Sequence, residues 1–480
     1  MRRLILGCLV WLVSQPVYSA DGLREWMQQV PVVQSIPMNR QYVRLELVDE
    51  PQGVLRHQAE IPVAPASLEK ILTSWIALET LGPSFQWQTA VMAEGYRQDD
   101  RWVGDVYLRF DGDPLFSEQA LWYLLSDLRA QGIREITGDW ILDGRFFNWP
   151  EAEALNFSDR GRNPHAPFLV PPSPYLINFN LHRIQLRHDP DLGVMAWVTP
   201  ATLNLQVDWS EAGVVDQPCD EVPRPAWTTL NHTETQLELS VQNNLPLGCE
   251  TTLWGHWQSP AVYAQQLVQT HWAGLGGRLG GVVRVAEDGD IQPLRELAAH
   301  ESLPLSETLR QLNKWSNNPV TRQLFLNLGA RLWRDLAEDD LTAAQKGSAQ
   351  WLSERLGGDE AIFLENGAGL SRQSRITLNQ LGLALVQMQH SRYFPELMTA
   401  LPLIAEDGTL QQRWTDSPLA GQGRLKTGQL DGVQAVAGYV NDHTGRTWQV
   451  VLLVQGQSGW RGWQWLEALL QHLYQAPPIE

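Results

Sequence analysis

Lysine is scarce in this sequence. The 480-residue chain has 36 Lys and Arg residues together, but only four of them are lysines: Lys70, Lys314, Lys346 and Lys426. An arginine keeps its proton in a protein, whereas a lysine can lose its proton when the surroundings lower its pKa. A chain that otherwise uses arginine is therefore expected to keep lysine where a point charge or a base is needed.

Positive charge as a whole is also in deficit. The formal net charge of −18 argues against nucleic-acid binding, which depends on clustered Lys and Arg. Neither Cys-x-x-Cys nor His-Glu-x-x-His occurs in the chain, and the glycine-dense stretch 274–281 does not match the dinucleotide fingerprint. We therefore predict no metal site and no cofactor.

The apolar run at the N-terminus is too short to cross a membrane. Arg2 and Arg3 precede the apolar segment 4–13, and small residues up to Ala20 follow it. This order is typical of a secretory signal that is cleaved. We predict a signal peptide over residues 1–20, a periplasmic location, and a mature chain without a transmembrane segment. An uncleaved anchor is the alternative.

Cysteine is nearly absent. Of the three cysteines, Cys8 lies in the predicted signal and is lost with it, which leaves Cys219 and Cys249. An even pair in an exported chain predicts a disulfide. Closing a loop of about 30 residues would stabilise the fold by roughly 3–4 kcal/mol in the chain-entropy model. Two free buried thiols are the alternative.

Hydrophobic periodicity divides the chain into three parts. Residues 42–48 alternate as a strand, and residues 68–81 have helical spacing that ends at Gly82. From about residue 85 to 290, short alternating segments such as 102–108 are separated by proline- and glycine-rich breaks. The last part begins with helical patterns and ends with three strands and a helix; the predicted strands are Arg424–Leu430, Val433–Val440 and Thr447–Val454.

The two ends of the chain therefore read as one α/β (α+β) domain that a long insertion interrupts. We expect residues 21–85 and 291–480 to form this domain. Residues 86–290 are expected to form a β-rich insertion of one or two small domains.

Three short motifs stand in order along the chain: Ser-x-x-Lys at Ser67 and Lys70, Ser-x-Asn at Ser316 and Asn318, and Lys-Thr-Gly at 426–428. Chance alone yields Ser-x-Asn about once, Ser-x-x-Lys roughly 0.2 times and Lys-Thr-Gly roughly 0.02 times in such a sequence. The inference therefore rests on the combination, with the first motif at a helix start and the third on a strand.

The first motif has the chemistry of an activated nucleophile. Ser67 and Lys70 are three residues apart, so their side chains share one helix face. A neutral lysine can serve as the base that a serine nucleophile needs, and a helix N-terminus favours a developing anion. We expect repulsion from Lys426 to lower the pKa of Lys70.

The other two motifs supply groups for the rest of such a reaction. Asn318 can orient Lys70 and hold a substrate amide, and Ser316 can pass a proton to the leaving amine. Lys426 and Thr427 can bind a carboxylate.

The backbone has its own expected roles at the site. Gly428 lets a peptide lie close to the strand. The backbone N–H groups of Ser67 and Gln429 would form the oxyanion hole.

This motif set resembles that of the penicillin-binding proteins and serine β-lactamases. The long gap from Ser67 to Ser316 is similar to that of the D-alanyl-D-alanine carboxypeptidase/endopeptidase family, the class C low-molecular-mass penicillin-binding proteins, which carry inserted domains there. Residues 112–114, 365–372 and 407–410 also resemble that family's motifs, and the two cysteines fit its insertion.

The resemblance implies that D-Ala-D-Ala termini and D-alanyl cross-links of peptidoglycan stem peptides acylate Ser67, and that β-lactams inhibit it covalently. One departure concerns Gln429, because the family usually has Thr or Ser there, and a hydroxyl contact to the substrate carboxylate is lost. The alternatives are a serine β-lactamase and a non-catalytic peptidoglycan-binding protein on the same fold. The sequence leaves open whether the chain is a monomer or a homodimer.

Overall fold

The computed structural model describes residues 20–30, 35–48, 55–150, 155–157, 163–189, 191–202, 205–210, 213–219, 226–232, 237–242, 244–292, 295–357, 361–456 and 460–475. Apart from Ala20, the predicted signal peptide lies outside these residues. The described part of the chain contains ten α-helices: α1 (Ala20–Gln29), α2 (Glu69–Leu81), α3 (Glu118–Ala130), α4 (Pro260–Gly274), α5 (Leu305–Lys314), α6 (Asn318–Leu328), α7 (Asp340–Leu356), α8 (Leu378–Gln389), α9 (Phe394–Ala400) and α10 (Trp460–Tyr474).

The strands fall into six sheets. In chain order they are β1 (Gln41–Leu47), β2 (Leu55–His57), β3 (Gln88–Ala93), β4 (Tyr96–Gln98), β5 (Arg101–Val103), β6 (Val106–Arg109), β7 (Glu135–Ile136), β8 (Trp140–Asp143), β9 (His182–Asp189), β10 (Gly193–Thr199), β11 (Leu205–Asp208), β12 (Val214–Val215), β13 (Ala226–His232), β14 (Leu237–Gln242), β15 (Leu245–Pro246), β16 (Glu250–Gly255), β17 (Arg278–Leu279), β18 (Val283–Val285), β19 (Arg295–Glu301), β20 (Gly423–Leu430), β21 (Val433–Asn441) and β22 (Thr447–Gln455).

The two ends of the chain share one antiparallel sheet, in the order β2-β1-β22-β21-β20. Strand β1 pairs with β22 along its whole length, from Gln41 opposite Val454 to Leu47 opposite Trp448. Because successive strand residues face opposite sides, β1 divides its apolar side chains between two cores. Val43 and Leu45 pack with α10, whereas Tyr42 packs with α2 and the other helices of the opposite face.

A second sheet, in the order β18-β8-β6-β3-β19, lies in the long segment between the first and second motifs. Helices α3 and α4 pack on it through Leu121, Leu125 and Leu267. The region thus contains helices as well as strands. Its last strand, β19, pairs with β3 and lies beyond residue 290, the predicted end of the insertion.

The predicted strand at 102–108 is divided into β5 and β6. Gly104 between them has φ +132°, and a side chain there would lie 2.5 Å from the carbonyl oxygen of Glu94. Only glycine combines this backbone conformation with so close a neighbour. The break lets β5 and β6 join two different sheets.

Two small sheets, β10-β9-β16 and β11-β14-β13, follow in the same segment. Their apolar side chains, including Ile184 and Leu239, form a core of their own. A disulfide joins Cys219 to Cys249 close by, with a Cα–Cα distance of 6.0 Å. Within the described residues, no helix is both long and apolar enough to cross a membrane.

Candidate active site

Ser67 lies in a single 3₁₀ turn, Ala66–Leu68, which leads directly into α2. The preceding residue, Ala66, has φ +51°, a left-handed conformation that costs a non-glycine residue roughly 1–2 kcal/mol. Gly369 packs against this turn so closely that a side chain on it would lie 1.8 Å from the Ala66 carbonyl oxygen. The nucleophile candidate is thus held on a strained, tightly packed turn.

Lys70 lies directly below Ser67 and is completely buried. Its Nζ is 2.9 Å from Ser67 Oγ, 2.7 Å from Asn318 Oδ1 and 2.5 Å from the carbonyl oxygen of Ala368. The latter two oxygens can only accept hydrogen bonds. A neutral amine that donates to both of them keeps its lone pair for Ser67.

Burial lowers the pKa of Lys70 to about 7, and the charge of the neighbouring Glu69 opposes this change. Burial is also the main reason that the pKa of Lys426 is well below its usual value, and repulsion from Lys70 adds to it. The predicted cause for Lys70, repulsion from Lys426, is not among the causes of its lowered pKa. Burial is the cause, since both lysine side chains are fully enclosed.

The second motif joins α5 to α6. Ser316 has φ +54° in this connection. Asn317 caps α6 by accepting a hydrogen bond from the N–H of Val320 at 3.1 Å, and Pro319 fits the first turn, where no N–H is needed. This start fixes Asn318, whose side-chain amide also donates to the carbonyl of Phe168 at 3.2 Å.

The third motif lies on β20, the edge strand of the first sheet. Lys426 Nζ donates to Ser316 Oγ at 2.8 Å and to the carbonyl of Thr427 at 2.9 Å. The hydroxyl groups of Thr427 and Thr409 are 2.8 Å apart. Hydrogen bonds of Lys70 therefore link the first motif to the second, and those of Lys426 link the second motif to the third.

Gly428 has a packing reason beyond the one predicted. A side chain on it would lie 3.2 Å from the Pro65 carbonyl oxygen and 3.4 Å from Leu68. The glycine therefore lets β20 lie against the turn that carries Ser67. Gln429, the next residue, is exposed and lines the cleft.

The motifs open into one cleft of about 540 Å³. Ser67, Ser316, Asn318, Thr427 and Gln429 line it, whereas Lys70 and Lys426 are buried beneath its surface. Several other lining residues have no predicted role in the site, among which are Phe168, Thr409, Arg413, Gln434 and Trp463.

These additional lining residues differ in whether a sequence motif marks them as part of a site. Thr409 lies in a family-like motif at 407–410, which the resemblance had already indicated. Phe168, Arg413 and Trp463 lie outside any recognisable pattern. Phe168 belongs to a 3₁₀ turn, Pro167–Leu169, inside the predicted insertion, so that segment contributes directly to the cleft.

Metal-binding chemistry finds no support in the described residues, which contain no group of three or more His, Cys, Asp or Glu side chains placed to hold an ion. Cys219 and Cys249 do not line the cleft. The polar side chains that line the cleft carry hydroxyl, amide and guanidinium groups and one carboxylate, that of Asp431.

A model of the D-Ala-D-Ala carboxypeptidase 3 (S13) family matches residues 34–470. The D-alanyl-D-alanine carboxypeptidase DacB of Haemophilus influenzae is 26% identical over 423 residues, which cover 86% of this chain and 84% of that protein. The D-alanyl-D-alanine carboxypeptidase of an Actinomadura species is 26% identical over 412 residues, covering 78% of this chain and 70% of that protein.

Among solved structures, the chain is similar to the crystal structure of penicillin-binding protein 4 (dacB) from Haemophilus influenzae. The TM-score is 0.73 at 24% identity, and the match covers 93% of this chain and 99% of that chain. A structure of the same protein with a β-lactam gives a TM-score of 0.73 at 23% identity. These likenesses show a shared fold.

Proposed function

Because the chain belongs to the D-Ala-D-Ala carboxypeptidase 3 (S13) family, it is a penicillin-binding serine hydrolase of D-Ala-D-Ala peptides, and we propose that Ser67, Lys70 and Ser316 carry out its reaction. The observation that carries this assignment is the 2.9 Å contact between the buried Lys70 amine and the Ser67 hydroxyl. A binding protein without a reaction would not need a base at that position.

Acylation begins when neutral Lys70 takes the proton of Ser67, whose oxygen attacks the carbonyl carbon of the penultimate D-alanine. A base with a pKa of about 7 is partly neutral at working pH and still accepts a proton effectively. Asn318 and the Ala368 carbonyl hold the amine in position. The N–H groups of Ser67 and Gln429 are assigned to the oxyanion.

Loss of the leaving group requires a proton on its nitrogen. Ser316 lines the cleft and accepts a hydrogen bond from Lys426 at 2.8 Å, so it can pass a proton to the departing amine while Lys426 supplies one to it. The C–N bond then breaks and leaves an ester on Ser67. Water then attacks the ester carbonyl, Lys70 returns its proton to the departing Ser67 oxygen, and a proton of the attacking water replaces the one that Lys426 gave up. The acyl group leaves as a carboxylic acid, and the free enzyme is restored.

The substrate lies along the edge of β20. An edge strand offers backbone groups that an extended peptide can pair with, and Thr427 and Gly428 are on that strand. We assign peptidoglycan stem peptides to this cleft, both D-Ala-D-Ala termini and D-alanyl cross-links. Penicillin would acylate Ser67 by the same steps.

The cellular setting follows from the substrate. We propose a periplasmic enzyme that is exported through the signal peptide at residues 1–20. The Cys219–Cys249 disulfide fits an oxidising compartment.

The domain division is likewise a proposal. We assign residues 21–85 and the C-terminal part to the peptidase domain. The pairing of β3 with β19 supports an end of the insertion after Glu301, later than the predicted 290.

Covalent labelling tests the assignment. The purified mature protein and a Ser67→Ala variant are incubated with a fluorescent penicillin and compared on a denaturing gel. We expect labelling of the wild type only. A folded wild type that takes no label would favour the non-catalytic peptidoglycan-binding protein.

Two further measurements distinguish the remaining alternatives. Rapid hydrolysis of the penicilloyl-enzyme would indicate a β-lactamase. Digestion of cross-linked muropeptides separates endopeptidase from carboxypeptidase activity.

A further inference from the structure

Residues 167–175, here called the strap, bring the predicted insertion to the catalytic cleft through Phe168. Four of these nine residues are prolines, which have no N–H to donate. Apart from the 3₁₀ turn Pro167–Leu169, the strap contains neither helix nor strand. Its position is therefore set by contacts with side chains of other elements.

Arg322 on α6 provides such a contact at the middle of the strap. It lies one turn after Asn318, and its guanidinium donates to the carbonyl of Val170 at 3.2 Å and to that of Leu155. One side chain thus joins α6 to two separate segments of the predicted insertion. A guanidinium fork suits two acceptors in fixed directions, whereas a lysine ammonium is a point charge without that geometry.

The charge of Arg322 is costly in this position. The residue is only 4% exposed, and both of these hydrogen bonds go to uncharged carbonyls. Burial lowers the pKa of Arg322 to about 10, against the opposing effect of the Glu365 charge. A buried ion without a hydrogen-bonded carboxylate destabilises a fold. Packing alone would therefore favour an apolar side chain, and what the guanidinium adds is its hold on the two carbonyls.

The strap in turn determines which way the Asn318 amide faces. The Phe168 carbonyl can only accept, so the amide nitrogen of Asn318 points to it at 3.2 Å and Oδ1 accepts from Lys70 at 2.7 Å. In a reversed amide the nitrogen would point to Lys70 and would occupy the lone pair that Ser67 needs. The second N–H of the correctly oriented amide stays available to a substrate.

We propose that Arg322 is a positioning residue for acylation, which acts through the strap and Asn318. By holding the strap against α6, it keeps the Phe168 carbonyl on the Asn318 amide and Asn318 Oδ1 on Lys70. Arg322 itself does not line the cleft. The inference rests on the proposed function and deepens it.

A double-mutant cycle of Arg322→Met and Asn318→Ala tests whether the two residues act together. The maximal rate constant of acylation by a fluorescent penicillin is measured by stopped flow, or on denaturing gels for slow variants. We expect Arg322→Met to lower it by roughly 10- to 100-fold, since displaced reacting groups are costly. In the Asn318→Ala background the same substitution should lower it by less than about threefold.

A residue with a merely structural role would lower the rate constant by the same factor in both backgrounds. A factor above about threefold in the Asn318→Ala background, or a wild-type rate constant in folded Arg322→Met, therefore overturns the inference. If Arg322→Met does not fold, the cycle is run with Arg322→Lys, which lacks the fork for two carbonyls. A wild-type rate constant in that variant, or equal factors in the two backgrounds, overturns the inference instead.

The matched control is Arg331→Met. Arg331 lies just after α6 and also holds the predicted insertion, but through the carbonyl of Asp111 at 3.0 Å rather than through the strap. We expect this variant to lose stability and to keep the wild-type acylation rate constant. Equal slowing in Arg331→Met would show a general loosening of the insertion and would also refute the role of Arg322.

Labelling of Ser67 in the wild type separates this inference from the proposed function. If the folded wild type takes no label, the proposed function itself fails. If the wild type is labelled and the cycle shows no coupling, only the role of Arg322 is refuted.

Discussion

Glu69 is the residue of the site whose charge is hardest to accommodate. It is fully buried, and the polar groups that its carboxylate faces are the Ser374 side chain and the Gly367 backbone. Burial raises the pKa of Glu69 to about 7, against the opposing effects of Ser374, Lys70 and Gly367, while Glu365 raises it further. Its sequence neighbour Lys70 has a pKa lowered to about 7. The charge of Glu69 is therefore well placed to influence the proposed base.

The pH dependence of acylation tests that influence. In the wild type, we expect the rate constant for penicillin acylation to rise with pH through about 7, as Lys70 loses its proton. The charge of Glu69 raises the pKa of Lys70, so Glu69→Gln should move this midpoint to lower pH. Stopped-flow acylation between pH 5 and 9 measures it. Glu79→Gln, an exposed position on the same helix, should leave the midpoint unchanged; an unmoved midpoint in Glu69→Gln would exclude the coupling.

The raised pKa of Glu69 also predicts how the free energy of unfolding changes with pH. A carboxyl whose pKa is higher in the folded than in the unfolded state stabilises the fold at low pH, and this contribution is lost as pH rises toward about 7. A glutamine does not titrate, so Glu69→Gln should not lose stability in this way as the pH rises. The free energy of unfolding of the variant minus that of the wild type should therefore increase by roughly 1–3 kcal/mol from pH 5 to pH 8. Denaturant titrations at both pH values measure it, and a difference independent of pH would contradict a buried, titrating carboxyl.

At the scale of elements, the site depends on close contact between the turn at Ala66–Leu68 and the loop containing Gly369. Gly369 has φ +70°, and the position of its missing side chain is filled by the Ala66 carbonyl. The Lys70 amine donates a hydrogen bond to the carbonyl of the preceding loop residue, Ala368. The loop therefore supports both the nucleophile turn and the proposed base.

Replacing this glycine should disrupt both supports. We expect Gly369→Ala to destabilise the fold by roughly 2–4 kcal/mol and to slow penicillin acylation by roughly tenfold or more, since a small displacement of reacting groups is costly. Gly445→Ala is the matched control, because Gly445 also has positive φ (+86°) but no atom within 4 Å of the added carbon. It should cost only about 1 kcal/mol and leave acylation unchanged. Equal effects of the two substitutions would show that backbone conformation, rather than contact, matters at Gly369.

At the scale of the whole molecule, the first sheet assembles residues that are far apart in the chain. Strands β1 and β22 are adjacent, and helix α2 packs between this sheet and helices of the C-terminal part. The two small sheets that follow β8 have their own core, and the disulfide lies in the same part of the chain. Their stability should therefore be separable from that of the site.

Removal of the disulfide tests this separation. The bond spans 30 residues, so Cys219→Ala/Cys249→Ala should reduce stability by about 3–4 kcal/mol in the chain-entropy model. We expect calorimetry to show an earlier unfolding transition, with labelling of Ser67 at 25 °C preserved. Loss of labelling at a temperature where the variant remains folded would indicate that the segment around the disulfide supports the cleft directly.

Local sequence patterns are enough to predict the individual elements and the motif residues of this protein. Alternation and helical spacing predicted β1, α2 and the three C-terminal strands, because side chains that must be buried repeat with the period of the element. The three motifs identified the serine, the lysines and the asparagine, because that chemistry requires those residue types at short spacing. The resemblance supplied the family and the insertion.

Which distant groups meet depends on the tertiary packing of the elements. The links from Lys70 to Ala368 and Asn318, the burial of Glu69, and the places of Phe168 and Arg413 in the cleft join segments separated by long stretches of chain. The burial of a side chain and its long-range contacts depend on how all elements pack together. The periodicity of one segment therefore cannot predict them. The packing of the whole molecule therefore determines the pKa of the proposed base, Lys70, and which charged side chains line the cleft.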